Sequence, residues 1–275
     1  VDVPPFATML HGERQNYGTF KIMGWEKTVT TIDQVLPAIK SLLSYLASHP
    51  ETAKAIALKL GRRFVEDVPS QQFISDIASS YTSSGGDIKA VLEAVYQHSD
   101  FKNAVGKKLK RPGEDYVSVA RTLDVWPNFS RVQKWKGVTK EFAYPAVVPD
   151  ELKRMGHAPL SWPFPDGYPD VASSWVNANY QLLRWNIYGH FIQGNTWNQP
   201  SWDSLLANRE TNVDKQIDQV AQVLLFKELG SADRISIRNA VTKVFGPNPD
   251  LNNSYRDVTS LIARLIFQLP VWSLR

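Results

Sequence analysis

Four prolines in one short stretch constrain the fold of this chain more than any other feature. Pro159, Pro163, Pro165 and Pro169 all lie within residues 155–185. Because each proline fixes φ and lacks an amide donor, the stretch cannot form one regular helix. The aromatic rings between the prolines are large and partly polar, and such rings either anchor a loop to a core or line a groove. We therefore predict a stiff, irregular loop whose rings are Trp162, Phe164, Tyr168 and Trp175.

Helical periodicity dominates the rest of the chain, where apolar residues recur at spacings of three and four. Ser48 and Glu51 have the spacing of a capping box, and Pro50 between them is typical of a first helical turn. Asp87 is placed to cap a further helix. We predict a mainly α fold with little or no β structure: a compact multi-helix array with a long proline- and aromatic-rich loop over 124–170. Its domains are an irregular, partly extended arm over 1–33 and one helical domain over 34–275.

The composition excludes several classes of function. The chain has 43% apolar residues, a net charge of +4 and no cysteine. The absence of cysteine excludes disulfides, thiolate zinc sites and cysteine nucleophiles. A net charge of +4 is too small for a dedicated nucleic-acid-binding protein, so no nucleic-acid partner is expected. No apolar run approaches the roughly twenty residues that a membrane span needs, so we predict no membrane-spanning segment.

Standard catalytic motifs are absent, and the five histidines have no metal-ligand spacing, so no metal site is predicted. The two carboxylates of the loop, Asp166 and Asp170, are the candidate catalytic pair, because acids beside aromatic rings suit a sugar-binding cleft. The alternative is structural: Asp166 precedes a glycine in a turn, and Asp170 caps the next helix. The candidate ligand-binding residues are Trp162, Tyr168, Trp175, Asn177, Arg184 and His157.

Two groups of cations also allow alternative interpretations. The run KKLKR at 107–111 is a solvated face, a source of counter-charges for Glu114 and Asp115, or a site for an anionic polymer. Arg184 shares a helix with aromatic residues, so it binds an anionic group, or it stacks on rings and pairs with a buried carboxylate.

Several motifs, in order, resemble the bacterial family known as domain of unknown function 1800, in particular its C-terminal half. The segment HPETAKAIALKLGRRFVEDVP at 49–69 is close to a helix of that family. Further positions that match the family's pattern are Lys110, Pro112, Glu114, Arg121, Gly156, Pro159, Pro163, Gly167, Tyr168, Pro169, Trp175, Asn177, Arg184 and Asn186.

Departures from the family's pattern bear on function. Gln15 and Asn16 stand where the family has His-Asp, His157 stands for a glutamine, and Tyr168 stands for a tryptophan. The resemblance also implies a missing N-terminal half with an acidic helix. We therefore expect a processed chain whose partner is a complementary N-terminal chain or a second subunit of the same family.

Two hypotheses of function follow. The first is an exported protein, secreted or in the cell envelope, that acts on a polysaccharide as a glycoside hydrolase or as one chain of it; the resemblance implies export, and the aromatic loop suggests the sugar. The second is a non-catalytic scaffold or partner-binding subunit of a cell-envelope complex, which the absence of catalytic motifs favours. No cofactor is predicted by either hypothesis.

Overall fold

The structure is a computed structural model that describes residues 16–125, 132–135, 138–141, 147–194 and 198–275. The backbone contacts divide the chain into two compact units, Val1–Ala104 and Val105–Arg275. The predicted division into an arm over 1–33 and a domain over 34–275 stays a prediction, and Gln15 lies outside the described residues.

The first unit is a β-hairpin followed by helices. Strands β1 and β2 pair in antiparallel register, with Gly18 opposite Val29. Helix α2 packs against α1 and α3, and α3 packs against α4. The buried core of this unit is formed mainly by alanines on α2 and by larger side chains on α3 and α4. The elements are β1 (Gly18–Ile22), β2 (Trp25–Val29), α1 (Ile32–Ser48), α2 (Pro50–Phe64), α3 (Gln71–Ser83), α4 (Ile88–Gln97) and α5 (Ser99–Lys102).

Local capping chemistry determines where these helices begin. Asp87 caps α4 as predicted, because its carboxylate accepts a hydrogen bond from the Lys89 amide at 2.9 Å. The predicted cap of α2 was wrong by one residue. Ser48 ends α1, and the His49 imidazole accepts the Glu51 amide at 3.2 Å. Pro50 follows at the first helical position, where its missing amide is not needed.

The second unit is built around its longest helix, α12, which packs against α8, α10, α11 and α13. Helix α6 packs against α8. The core contains Tyr188 and Phe191 from α8 and Ile262 and Phe267 from α12, all almost fully buried. The elements are α6 (Pro112–Thr122), β3 (Val132–Trp135), β4 (Val138–Glu141), α7 (Val147–Arg154), α8 (Ala178–Gln193), α9 (Trp202–Leu205), α10 (Val213–Leu225), α11 (Ser231–Phe245), α12 (Leu251–Gln268) and α13 (Pro270–Ser273).

The mainly α prediction is confirmed, and the loop over 124–170 needs a correction. An antiparallel hairpin, β3–β4, and the helix α7 interrupt it. One proline of this stretch, Pro149, lies in the first turn of α7, where proline is tolerated. Among the described residues, no helix is long and apolar enough to cross a membrane.

Candidate functional site

The most deeply buried charged side chain among the described residues of the second unit is that of Asp115, which is only 1% exposed. One of its oxygens accepts the Tyr188 hydroxyl at 2.5 Å, and the other accepts the Trp272 indole N–H at 2.7 Å. The Arg184 guanidinium lies 3.6 Å from the same carboxylate and donates to the Lys110 carbonyl at 2.8 Å. We call these five residues the Asp115 network. It joins α6, α8 and the C-terminal segment.

Burial and charge shift the titration of this network. Burial raises the pKa of Asp115, against the opposing effects of Arg184, Tyr188, Lys110 and Trp272. Burial, together with the Asp115 charge, raises the pKa of Tyr188 well above its ordinary value. Burial lowers the pKa of Lys110 to about 8, although Asp115 opposes that shift. The Lys110 ammonium donates to the Trp272 carbonyl at 2.7 Å and lies 3.6 Å above the centre of the Trp272 ring.

Asp170 belongs to an ion cluster rather than to a helix cap. Lys108, which is 3% exposed, lies 3.5 Å from the Asp170 carboxylate and donates to the Asp170 carbonyl at 2.8 Å. Arg111 and Arg275 lie 3.9 and 3.8 Å from the same carboxylate. The predicted capping role of Asp170 was wrong, because Asn177 caps α8 by accepting the Tyr180 amide at 2.9 Å.

The KKLKR run therefore supplies counter-charges, one of its predicted roles. Arg111 pairs with Glu114 at 2.9 Å, and Lys108 pairs with Asp170. The backbone of this run also bonds to the end of the chain: the Lys110 amide donates to the Ser273 carbonyl at 2.8 Å, and the Arg275 amide donates to the Lys108 carbonyl at 2.8 Å. These bonds join the run to the C-terminal segment.

His157 anchors the aromatic loop, residues 155–177, to the start of α6. Its Nδ1 accepts the Gly113 amide at 2.9 Å, and its ring packs on Tyr168 and Trp175 with centroids 4.7 and 5.0 Å away. A Cβ at Gly113 would lie 3.0 Å from His157 Nδ1, so glycine allows this approach without a shift of the imidazole. Gly156, with φ of +72°, makes the turn that leads into the loop.

The outer part of the loop presents an aromatic tip made of Trp162, Phe164 and Asp166. Phe164 is 62% exposed, and its ring meets Trp162 edge to face with centroids 5.7 Å apart. The Trp162 indole N–H donates to one oxygen of Asp166 at 2.8 Å. On its other side, Trp162 packs on Tyr168 with centroids 4.9 Å apart. The tip thus consists of an exposed ring, a half-buried indole and a carboxylate, and the contacts between them fix their relative positions.

The remaining predicted ligand-binding residues have structural partners. Trp175 is 5% exposed and donates to the Pro169 carbonyl at 2.9 Å. Asn177 caps α8, and Arg184 pairs with the buried carboxylate, which was one of its two predicted roles. Tyr168 donates its hydroxyl to the Ala158 carbonyl at 2.8 Å. The catalytic assignment of Asp166 and Asp170 stays a prediction. The contacts of Asp170 are those of a structural counter-ion.

Comparison with known proteins identifies the family. A family model described as "Protein of unknown function (DUF1800)" matches residues 8–274. The chain belongs to the DUF1800 family. The match covers nearly the whole chain, so family membership replaces the narrower prediction of a C-terminal half. For this DUF1800 protein, comparisons with curated proteins and with solved structures gave no match.

Sequence reasoning did not identify Asp115 as the centre of the Asp115 network in this DUF1800 protein. Asp115 was considered only as a counter-charge on a helix, and the roles of Tyr188 and Trp272 were not predicted. One signal was present in the sequence. Asp115 directly precedes Tyr116 on α6, so a carboxylate lies beside the apolar face of that helix. Within the described residues, no group of three histidine, aspartate or glutamate side chains is placed to hold a metal ion.

Proposed function

We propose that this DUF1800 protein is an exported polysaccharide-binding protein whose aromatic tip holds a neutral β-linked glucan. The observation that carries the proposal is the exposed, ordered arrangement of Phe164, Trp162 and Asp166. Pyranose rings with equatorial hydroxyls have apolar C–H faces, and an exposed aromatic ring can cover such a face. A carboxylate beside the ring can accept bonds from the sugar hydroxyls.

The charge of the tip favours a neutral sugar. One Asp166 oxygen accepts the Trp162 indole N–H, and the other accepts no hydrogen bond from any residue in the part of the chain that the structure describes. That second oxygen is suited to a hydroxyl donor. A uronic acid or a sulfated sugar would bring a second negative charge to the same place, and like charges at short distance repel.

The support beneath the tip favours binding by a rigid surface. His157 is bonded to α6, Tyr168 to the Ala158 carbonyl, and Trp175 to the Pro169 carbonyl. Proline positions on either side of the tip further limit the backbone. A surface that is ordered before binding loses less conformational entropy when the ligand arrives.

Binding without hydrolysis is the form of the proposal that the carboxylates support best. A glycoside hydrolase needs a general acid that holds a proton and a second carboxylate that remains ionised. Asp170 lies within 4 Å of three cationic side chains, from Lys108, Arg111 and Arg275, and serves as their counter-ion. Its carboxylate is therefore already engaged by the protein, whereas Asp166 is exposed at the tip.

Affinity electrophoresis through a gel that contains hydroxyethylcellulose tests the proposal. We expect the wild-type protein to be retarded, and Phe164→Ala to lose about tenfold in affinity, because the substitution removes a ring contact of roughly 1.4 kcal/mol. Phe164 is mostly exposed, so this change should leave the fold intact.

The matched control is Ile235→Ala on α11, another exposed apolar side chain of the same unit. It should be retarded like the wild type. Equal mobility of the wild-type protein in gels with and without the glucan would refute the proposal. Retardation that Phe164→Ala leaves unchanged would refute the assignment to the tip.

A second candidate function is binding of a partner chain through the first unit, which corresponds to the scaffold hypothesis. On α1, Ile39 and Leu43 are 43% and 60% exposed, while Val35 and Ala38 are buried. Met23 in the β1–β2 turn is also exposed. Exposed apolar side chains of this kind are typical of a protein interface. We propose a second chain of the same family as the occupant.

Native mass spectrometry of the protein purified from its source tests this second candidate. The expected result is a complex with a second chain whose peptides belong to the same family, and Leu43→Glu should dissociate it. A single-chain mass for the wild-type protein at micromolar concentration would refute the candidate. That outcome does not affect the proposal for the aromatic tip, which needs no partner.

A further inference from the structure

The second unit contains an open cavity of 440 Å³ that is separate from the aromatic tip. Its walls come from the segment before α6, the last turn of α6, the end of α10 and the C-terminal segment. This volume lies in the range of small-molecule sites. Its lining includes Lys110, Arg121, Phe226, Lys227, Trp272 and Arg275.

The charged side chains that line the cavity are all cationic, and one of them, Arg275, is paired with Glu114 and Asp170. Four cationic side chains line it, from Lys110, Arg121, Lys227 and Arg275, and no described lining residue is acidic. Asp115 lies behind Lys110, where it is buried and bonded within its network. Arg121 and Lys227 form no ion pair with any residue that the structure describes. Their charges are therefore available to a ligand.

The remainder of the wall is apolar. Leu224 and Leu225 end α10, and Trp272 and Leu274 come from the C-terminal segment. A ligand that fills this cavity must present an apolar body to these side chains and an anionic group to the cations. A free inorganic anion would leave the apolar wall exposed to water, so it would gain only part of the available binding energy.

Phe226 adds an independent observation at the rim. It follows the last residue of α10 with φ of +57°, a left-handed conformation that is unfavourable for a bulky residue. Its ring is 80% exposed, so no burial in the core compensates for this strain. Residues kept in strained conformations cluster at ligand sites. Here the strained residue holds an aromatic ring beside the cavity.

We propose that this cavity binds a single-chain amphiphilic carboxylate, with the carboxylate at Arg121 and Lys227 and the alkyl chain along the apolar wall. The Arg121 guanidinium can donate two parallel hydrogen bonds to a carboxylate. The exposed Phe226 ring covers the alkyl chain at the rim. Trp272, which is shared with the Asp115 network, forms part of the inner wall.

Isothermal titration calorimetry with dodecanoate, below the concentration at which it forms micelles, tests the proposal. The wild-type protein should bind one equivalent. Butyrate, which lacks the chain, and dodecanol, which lacks the charge, should each bind at least tenfold more weakly, because each makes only half of the contacts.

The variants Arg121→Gln and Lys227→Gln should each weaken dodecanoate binding about tenfold. Both positions are exposed, and having two independent variants covers the case in which one fails to fold. The matched control is Lys243→Gln, because Lys243 lies in the last turn of α11 as Arg121 lies in the last turn of α6. This control should bind like the wild type.

Three results would overturn the proposal: no saturable binding of dodecanoate, equal binding of dodecanol and dodecanoate, or full affinity in both Arg121→Gln and Lys227→Gln. The second result would indicate only a hydrophobic surface. None of these outcomes depends on the polysaccharide experiment, because the aromatic tip and the cavity share no residue.

Discussion

A single buried carboxylate organises the second unit at the scale of residues. Asp115 would be strongly unfavourable in the core by itself, because a buried charge needs both a counter-charge and hydrogen bonds. Arg184 supplies the counter-charge, and Tyr188 and Trp272 supply the bonds. Each donor comes from a distant part of the sequence, so the network fixes the positions of α8 and the C-terminal segment relative to α6.

We expect Asp115→Asn to lower the free energy of unfolding by about 3–5 kcal/mol, because it leaves the Arg184 guanidinium buried without its counter-charge. Urea denaturation followed by circular dichroism measures the change. Asp218→Asn is the control, since Asp218 forms a bidentate pair with Arg234 at the exposed surface. It should cause a much smaller change. Equal destabilisation by the two substitutions would contradict the central role of Asp115.

Lys110 gives the stability of the protein a distinctive pH dependence. Burial lowers its pKa from 10.5 to about 8, so between these values the unfolded chain binds more protons than the folded chain. The contribution of Lys110 to the free energy of unfolding therefore rises as the pH increases from about 8 to 10.5. Below pH 8 the folded protein must bury a protonated lysine, which lowers the free energy of unfolding. Above pH 10.5 the lysine is neutral in both the folded and the unfolded chain, so this cost is absent.

The variant Lys110→Met lacks this proton and keeps a chain of similar length. We expect the stability of the wild-type protein, measured relative to the variant, to increase across pH 8–10.5 in urea denaturation. Loss of the bond to the Trp272 carbonyl should shift the variant's stability at every pH equally. Parallel pH profiles for the two proteins would show that the lysine has no shifted pKa.

At the scale of elements, the end of α10 combines strain with exposure. Phe226 adopts the left-handed conformation that usually belongs to glycine, and its ring is mostly exposed. We expect Phe226→Gly to raise the free energy of unfolding by roughly 0.5–1 kcal/mol, because it removes the Cβ strain and little buried surface. The same change should weaken binding of dodecanoate.

Phe226→Ala separates these two effects. Alanine removes the ring but keeps the Cβ, so it should not gain the stability that glycine gains. Thermal unfolding of the two variants side by side measures the difference. If alanine stabilises the protein as much as glycine does, the strain lies in the ring contacts and not in the backbone.

The helices show what local sequence information can predict. Caps such as Asp87 and the apolar stripe of α3 act within one or two turns, so the pattern around them indicates a helix without tertiary information. Helix α7 was missed because the stretch over 124–170, which was predicted as a loop, is rich in prolines and shows no helical periodicity. The exposed Ile39 and Leu43 on α1 show the limit of such patterns, because an apolar stripe does not show which of its residues the tertiary contacts cover.

At the scale of the whole molecule, the long-range polar contacts are what the sequence could not predict. Asp115 and Trp272 are 157 positions apart, and nothing at either position indicates the other. The aromatic loop was recognised from its prolines and rings. Its division into an inner anchor, His157 with Tyr168 and Trp175, and an outer tip depends on which rings pack against the unit. That division could not be read from spacing.

The role proposed for the loop follows from this division. Sequence reasoning named two rings of the tip region, Trp162 and Tyr168, among the candidate ligand-binding residues, but it did not name Phe164. In the structure, Trp175, Asn177 and Arg184 stabilise the protein, and the exposed tip contains Phe164, Trp162 and Asp166. The tip is the part of the loop that a polysaccharide can reach.

The most direct test of the central claim is calorimetric titration of cellohexaose into the wild-type protein and into Phe164→Ala. We predict saturable binding to the wild type and about tenfold weaker binding to the variant, because the exposed ring covers one face of a sugar. The Ile235→Ala control should bind like the wild type. Absence of binding to the wild type, or equal affinity in the wild type and Phe164→Ala, would contradict the proposal that the aromatic tip is a polysaccharide site.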